Sequence, residues 1–169
     1  MNPTLLSVLA LLTPTALATP LLGTTGSFSA GGPCKEARCA LSSREPISRT
    51  IVDERYTFPP EHPTPNQMQS PGPTISVIRV NNVVTSLGFE AGVQDSIFFQ
   101  PDYLTRLISR VFTFAAGTSV SPVTLAQLER QCETANGKAT LTRVGAFTLA
   151  CVNSGGEYSN ARRVIYRIF

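Results

Sequence analysis

The chain has 169 residues, with 14 Lys and Arg against 11 Asp and Glu, which gives a formal net charge of +3. This length allows one domain with a real hydrophobic core, and the mild charge permits an anionic partner without demanding one. No apolar run beyond the amino terminus is long enough to cross a bilayer, which excludes membrane insertion of the mature chain.

Residues 1–18 have the pattern of a cleaved secretory signal peptide. The apolar run over 5–12 is far shorter than the roughly 20 residues of a membrane-spanning helix, and Pro14 ends it. Ala16 and Ala18 supply the small-x-small pattern that signal peptidase recognises, which predicts cleavage after Ala18. An amino-terminal core helix is the alternative. The pattern predicts a secreted, extracellular protein.

The mature chain contains four cysteines, Cys34, Cys39, Cys132 and Cys151. An even number in a secreted chain predicts two disulfides, for which three connectivities exist. We favour Cys132–Cys151, because a helix followed by a strand would bring both to one core face, and Cys34–Cys39 then closes a local loop. A metal site is the alternative, but the spacing is not that of a zinc ribbon and the single histidine, His62, lies among prolines. We therefore predict no metal and no cofactor.

The first part of the mature chain has little of the pattern of a core. Residues 19–33 are rich in Gly, Ser and Thr and are expected to be poorly ordered. Residues 34–58 alternate charges of both signs, which fits either one irregular strand or a loose wrap around the domain. The proline density of 59–73 predicts an extended connector. The sequence thus predicts a flexible arm over 19–73 and a folded domain over 74–169.

Four strands are predicted in that domain. Residues 75–80 and 83–87 are rich in β-branched side chains, and the Asn-Asn pair at 81–82 favours a turn between them, which makes a hairpin. Near the carboxyl end, apolar residues alternate over 147–151 and again over 164–168.

Two helices are predicted between these strand pairs. Pro101 suits the first position of one helix, and the second begins with Ser121 as N-cap and Pro122 as its first residue. Strands, then helices, then strands predict an α+β fold with a small, mainly antiparallel sheet packed with two short helices. The apolar stripes of the two helices are Leu104, Leu107, Ile108, Val111 and Phe112, and Leu125, Leu128 and Cys132.

The sequence contains no motif typical of a common catalytic or nucleotide-binding site. No glycine-rich phosphate loop follows a strand, and the scattered acids form no pair that stands out. A Ser-His-Asp or Cys-His arrangement would need His62, which lies between Glu61 and Pro63 and is expected to be a solvated loop residue. The sequence therefore predicts no catalytic residue.

The carboxyl-terminal segment resembles the strand-loop-strand of secreted microbial ribonucleases, the guanyl-specific enzymes and the ribotoxins. The resemblance rests on FTLACVNSGGEY at 147–158 and NARRVIY at 160–166. It implies that Arg163 takes the place of the family's phosphate-contacting arginine, whereas Thr148 replaces the catalytic glutamate and the histidine strand has no counterpart before Phe169. General acid–base cleavage of RNA needs both proton carriers, so the resemblance implies an inactive member, as fungi use for secreted effectors.

We therefore predict a secreted, non-enzymatic binding or effector-type protein whose partner is an anionic molecule, RNA included, or a protein. An extracellular hydrolase such as a ribonuclease is one alternative, and a structural cell-wall or surface protein is another. A solvated edge of the sheet would also explain the basic strand residues. The predicted contact residues are Arg143, Tyr158, Arg162, Arg163, Tyr166 and Arg167.

Overall fold

A computed structural model gives the fold of most of the chain. The predicted signal peptide and most of the proline-rich segment lie outside the described residues. For positions 91, 92, 101 and 163 only the backbone is described. The structure describes residues 19–59, 73–92, 101–135, 137–153 and 163–169.

Seven antiparallel strands form one sheet in these ranges, in the order β1-β2-β3-β4-β7-β6-β5. The last strand in the sequence, β7, pairs with β4 on one side and β6 on the other, so it joins the two halves of the sheet. With the helices described below, the sheet confirms the predicted α+β class. The strands are β1 Ala40–Pro46, β2 Ile51–Thr57, β3 Thr74–Val80, β4 Val83–Gly92, β5 Thr140–Val144, β6 Phe147–Asn153 and β7 Arg163–Ile168.

Both predicted helices are present and lie against one face of the sheet. They are α2, Pro101–Ala116, and α3, Pro122–Thr134, and a short α1, Gly32–Glu36, precedes them. Ser121 caps α3 as predicted, because its hydroxyl oxygen accepts a hydrogen bond from the amide of Thr124 at 3.0 Å. The predicted apolar stripes face the sheet: Leu107, Ile108, Val111, Phe112, Leu125, Leu128 and Cys132 are buried.

One hairpin on each side of α2 and α3 is closed by a two-residue turn. Asn81 and Asn82 have φ of 50° and 66°, the left-handed pair of a type I′ turn, which confirms the predicted hairpin of β3 and β4. Between β5 and β6, Gly145 has φ of 59°, and glycine is the residue that a type II′ turn prefers at its first central position.

Both predicted disulfides are present. Cys34 and Cys39 join α1 to the start of β1, with their Cα atoms 4.9 Å apart. Cys132 and Cys151 join α3 to β6, with a Cα separation of 5.8 Å. In the described ranges no helix is long and apolar enough to cross a membrane.

The segment that we expected to be a flexible arm contributes strands and core residues to the described fold. β1 and β2 extend the sheet beyond β3, and Leu21, Leu22 and Phe28 are buried. Backbone hydrogen bonds hold the same stretch: the amide of Leu22 donates to the carbonyl of Ala115, at the end of α2, at 3.1 Å. These three large apolar side chains are therefore part of the core, although the composition of the stretch around them is that of a polar segment.

Candidate functional site

The sheet has one face covered by the helices and one that the described helices leave uncovered, which we call the open face. Side chains alternate along each strand, and cross-strand partners point to the same side. Cys151 bonds to α3 and therefore lies on the helix side, and its partner Tyr166 is 3% exposed there. Their neighbours Ala150 and Arg167, which also pair with each other, consequently lie on the open face.

Arg167 lies across the middle of the open face. Its register partner on β4 is Gly88, and a Cβ built there would be 3.5 Å from both Nε and Nη2 of Arg167. The missing side chain of Gly88 thus gives the guanidinium room to rest on the sheet. No carboxylate among the described side chains forms an ion pair with Arg167, which is exposed.

A second arginine and two apolar residues continue this surface towards β5. Arg143 is exposed, and its Nη1 makes only a long hydrogen bond, 3.5 Å, to the carbonyl of Ala146. Leu141, opposite Ala150, is 60% exposed. Phe169 exchanges backbone hydrogen bonds with Thr148, the partner of Arg143, and is 51% exposed. We call Leu141, Arg143, Arg167 and Phe169 the arginine–apolar patch.

The spacing of the two arginines follows from the register. Arg143 lies two strands away from Arg167 and two residues along, which places their Cα atoms about 12 Å apart. Both guanidinium groups can therefore contact separate anionic groups of one extended partner.

The arginines of β1, β2 and β3 differ from this pair, because each has a carboxylate partner. Arg55 donates from Nε to Asp53 at 3.0 Å, and Ser76 donates to the other oxygen of Asp53 at 2.7 Å. The hydrogen bond and the charge of Asp53 raise the pKa of Arg55, so its positive charge is held against that carboxylate. Arg44 and Arg79 both contact Glu54. Among the described side chains of the sheet, Arg143 on β5 and Arg167 on β7 are thus the arginines that form no ion pair with a carboxylate.

The ion pair of Glu54 and Arg79 serves the fold rather than the surface. Arg79 donates from Nε to Glu54 at 2.9 Å, from Nη2 to the carbonyl of Gly26 at 2.7 Å and from Nη1 to that of Asn82 at 3.2 Å. Its side chain is buried on the helix side, where it ties the amino-terminal segment to β3.

The predicted contact residues divide into several groups. Arg143 and Arg167 lie together on the open face, whereas Tyr166 is buried on the opposite side. Burial, the charge of Glu129 and a hydrogen bond to it raise the pKa of Tyr166, so its hydroxyl stays neutral inside the protein. The backbone of Arg163 lies on β7 opposite Gly92. Tyr158 and Arg162 lie outside the described residues.

Sequence reasoning missed Leu141 because it missed β5, and it did not single out Phe169, which directly follows the predicted strand of β7. The stretch 140–144 contains β-branched residues at alternate positions and is followed by Gly145, a turn signal that could have identified the strand. Once β5 is known, the exposure of Leu141 on an outer strand marks it as a possible contact residue.

Two clefts are lined by described residues, and neither holds a combination of groups typical of catalysis. The cleft between α1 and α2 has a volume of about 140 Å³, and Arg110 and Glu36 at its margin form an ion pair. A shallow apolar depression of about 370 Å³ lies beside Leu21 and Phe114. No group of three His, Cys, Asp or Glu side chains converges within the described ranges.

Comparison of this chain with protein-family models, with curated proteins and with solved structures found no match. The resemblance to secreted ribonucleases therefore rests on the carboxyl-terminal sequence pattern alone.

Proposed function

We propose that this protein is a secreted, non-enzymatic binding protein of effector type, which holds an anionic partner against the arginine–apolar patch. The signal-peptide pattern and the two disulfides support an extracellular location. The observation that carries the binding proposal is the difference between the arginines of β1–β3, which each contact a carboxylate, and Arg143 and Arg167, which form no ion pair with any described side chain.

The chemistry of the patch suits recognition. An arginine without a partner can form two parallel hydrogen bonds to a carboxylate or phosphate, and it loses little hydration on burial compared with lysine. Exposed Leu141 and Phe169 add apolar area beside these charges. Arginine and aromatic residues in this combination are enriched where binding energy concentrates at interfaces.

The scaffold holds these groups in fixed positions. Arg167 is on β7, which is paired on both sides, and Arg143 is on β5 next to a tight turn. The Cys132–Cys151 disulfide fixes β6 between them to α3. Side chains on a rigid sheet bind with less loss of conformational freedom than side chains on loops.

The test compares two double variants of the secreted, oxidised protein. Arg143→Ala/Arg167→Ala removes the patch charges, whereas Arg49→Ala/Arg130→Ala removes two exposed arginines elsewhere, in the β1–β2 turn and on α3. Binding to RNA, heparin and poly-glutamate is measured at about 50 mM and about 200 mM salt, with RNA integrity followed on a gel.

We expect the patch variant to bind the preferred polyanion at least about tenfold more weakly. The slope of its log binding constant against log salt concentration should correspond to about two fewer released counterions, because two anion contacts are lost. The control variant should keep most of its binding. Equal losses in both variants, or no salt-sensitive binding to any polyanion, would contradict the proposal. RNA cleavage by the wild-type protein would favour the ribonuclease alternative.

A further inference from the structure

The two outer strands of the sheet differ in how well they are protected against pairing with another chain. β1 has an irregularity between Leu41 and Ser43 and ends at Pro46, features that discourage strand addition. β5 is regular and has no proline, and in the described ranges its only strand partner is β6. Of the two outer strands in the described sheet, β5 is therefore the one open to a further strand.

Hairpin geometry shows which backbone groups this edge presents. Val144 and Phe147 flank the two-residue turn that begins with Gly145, and such a closing pair exchanges its hydrogen bonds within the hairpin. Because backbone groups alternate in direction along a strand, the amides and carbonyls of Leu141 and Arg143 point away from β6. These are the two β5 residues whose side chains belong to the patch.

We propose, building on the function proposed above, that β5 accepts an acidic, extended segment of a partner protein as an antiparallel strand. The backbone of that segment pairs with Leu141 and Arg143, and its side chains on the open face meet theirs. Since the segment runs antiparallel to β5, it places a Glu or Asp opposite Arg143 and, two residues later, an apolar residue opposite Leu141.

The other occupants fit this edge less well. If β5 of a second copy paired antiparallel with β5 and Thr142 lay at the centre, Arg143 of each copy would lie opposite Leu141 of the other. Both guanidinium groups would then face no carboxylate. A nucleic acid would supply phosphates for the arginines but no peptide groups for the outward amides. An acidic peptide strand satisfies the backbone, the charge and the apolar side chain together.

The experiment uses fluorescein-labelled Thr-Val-Glu-Thr-Leu-Thr and measures fluorescence anisotropy with the full secreted, oxidised protein. One control peptide exchanges Glu and Leu. Two others carry N-methyl groups, either on the Glu and Leu amides, which would face β5, or on the Thr amide between them, which would face away. Protein variants are Arg143→Ala, Leu141→Pro and, as a charge-matched control, Arg130→Ala on α3.

We expect Arg143→Ala to weaken binding about tenfold, as for a lost charge-assisted hydrogen bond, and Arg130→Ala to leave it unchanged. Leu141→Pro removes an outward amide without removing a bond to β6 and should reduce binding by at least about thirtyfold. Methylation of the Glu and Leu amides should have a similar effect on the unaltered protein, whereas methylation of the middle Thr should not. The exchanged peptide should bind more weakly.

Several results would overturn strand addition. Binding that is lost in Arg143→Ala but unaffected by N-methylation would show attraction by charge alone, and the proposed function would stand without the added strand. A dimer that Leu141→Pro dissociates, or RNA binding at the patch without peptide binding, would identify another occupant. Failure of every polyanion and peptide to bind the patch would remove the proposed function itself.

Discussion

Replacing Arg79 with methionine tests the claim that a buried ion pair holds the amino-terminal segment to the sheet. Arg79 is 5% exposed and donates to Glu54, Gly26 and Asn82 at 2.9, 2.7 and 3.2 Å. Methionine fills much of the same volume, so the change removes the charge and the hydrogen bonds with little loss of packing.

The expected loss of folding stability in Arg79→Met depends on the contacts that Glu54 keeps. Breaking one side of a buried pair typically costs about 3–5 kcal/mol, because a desolvated charge is left without its partner. The Glu54 side chain is 9% exposed, but it keeps the hydroxyl of Tyr56 at 3.3 Å and Arg44 Nε at 3.6 Å. These contacts place the expected loss at the lower end, about 3 kcal/mol.

Urea unfolding of the oxidised protein, followed by circular dichroism, measures the loss. The matched control is Arg110→Met, because Arg110 and Glu36 are both more than half exposed and such pairs contribute about 0–1 kcal/mol. A Glu54→Leu/Arg79→Met double variant should be more stable than Arg79→Met alone, since both charges leave the interior together. Amide exchange over 19–26 should also accelerate in Arg79→Met.

A loss below about 1 kcal/mol, equal to that of the Arg110 control, would refute the argument. It would mean that water reaches the pair and that the carbonyl of Gly26 does not depend on Arg79. Unchanged amide exchange over 19–26 would lead to the same conclusion for the segment.

Three further predictions concern the core. Removing the Cys132–Cys151 disulfide by double serine substitution should cost about 3 kcal/mol in urea unfolding, and retention of full stability would contradict its role. In Gly31→Ala the new Cβ would overlap Cζ of Phe114, so we expect the free energy of unfolding to fall by about 1–3 kcal/mol, a loss that Phe114→Ala partly relieves. The pKa of Tyr166 is raised in the fold, so the protonated phenol contributes its full stabilisation below the ordinary pKa of 10.0. Above that pH the unfolded chain releases the phenol proton whereas the folded chain retains it, so the contribution is lost as pH rises. In urea unfolding between about pH 9 and pH 11, the free energy of unfolding should therefore fall less in Tyr166→Phe than in the unaltered protein, with a difference of about 1.4 kcal/mol per pH unit above 10, and equal falls would contradict this.

Local sequence patterns predicted several elements. The spacing of Leu107, Val111 and their neighbours, the Ser121 cap and the Asn81-Asn82 turn each depend on contacts within a few residues, and the structure contains all three. The favoured cysteine pairing is present as well, because a helix and the next strands in the chain bring Cys132 and Cys151 together.

Contacts between distant parts of the chain decided the rest. β2 pairs with β3, which follows the proline-rich segment in the sequence, and β7 pairs with β4. The charged composition of residues 40–57 therefore does not predict by itself that they form strands of this sheet. Strand periodicity places Tyr166 and Arg167 on opposite faces, but it does not say which face meets the helices. The sequence by itself determined the alternation, the caps and the cysteines, whereas only the tertiary structure placed Tyr166 inside and Arg167 on the open face, because burial depends on where α2 and α3 pack.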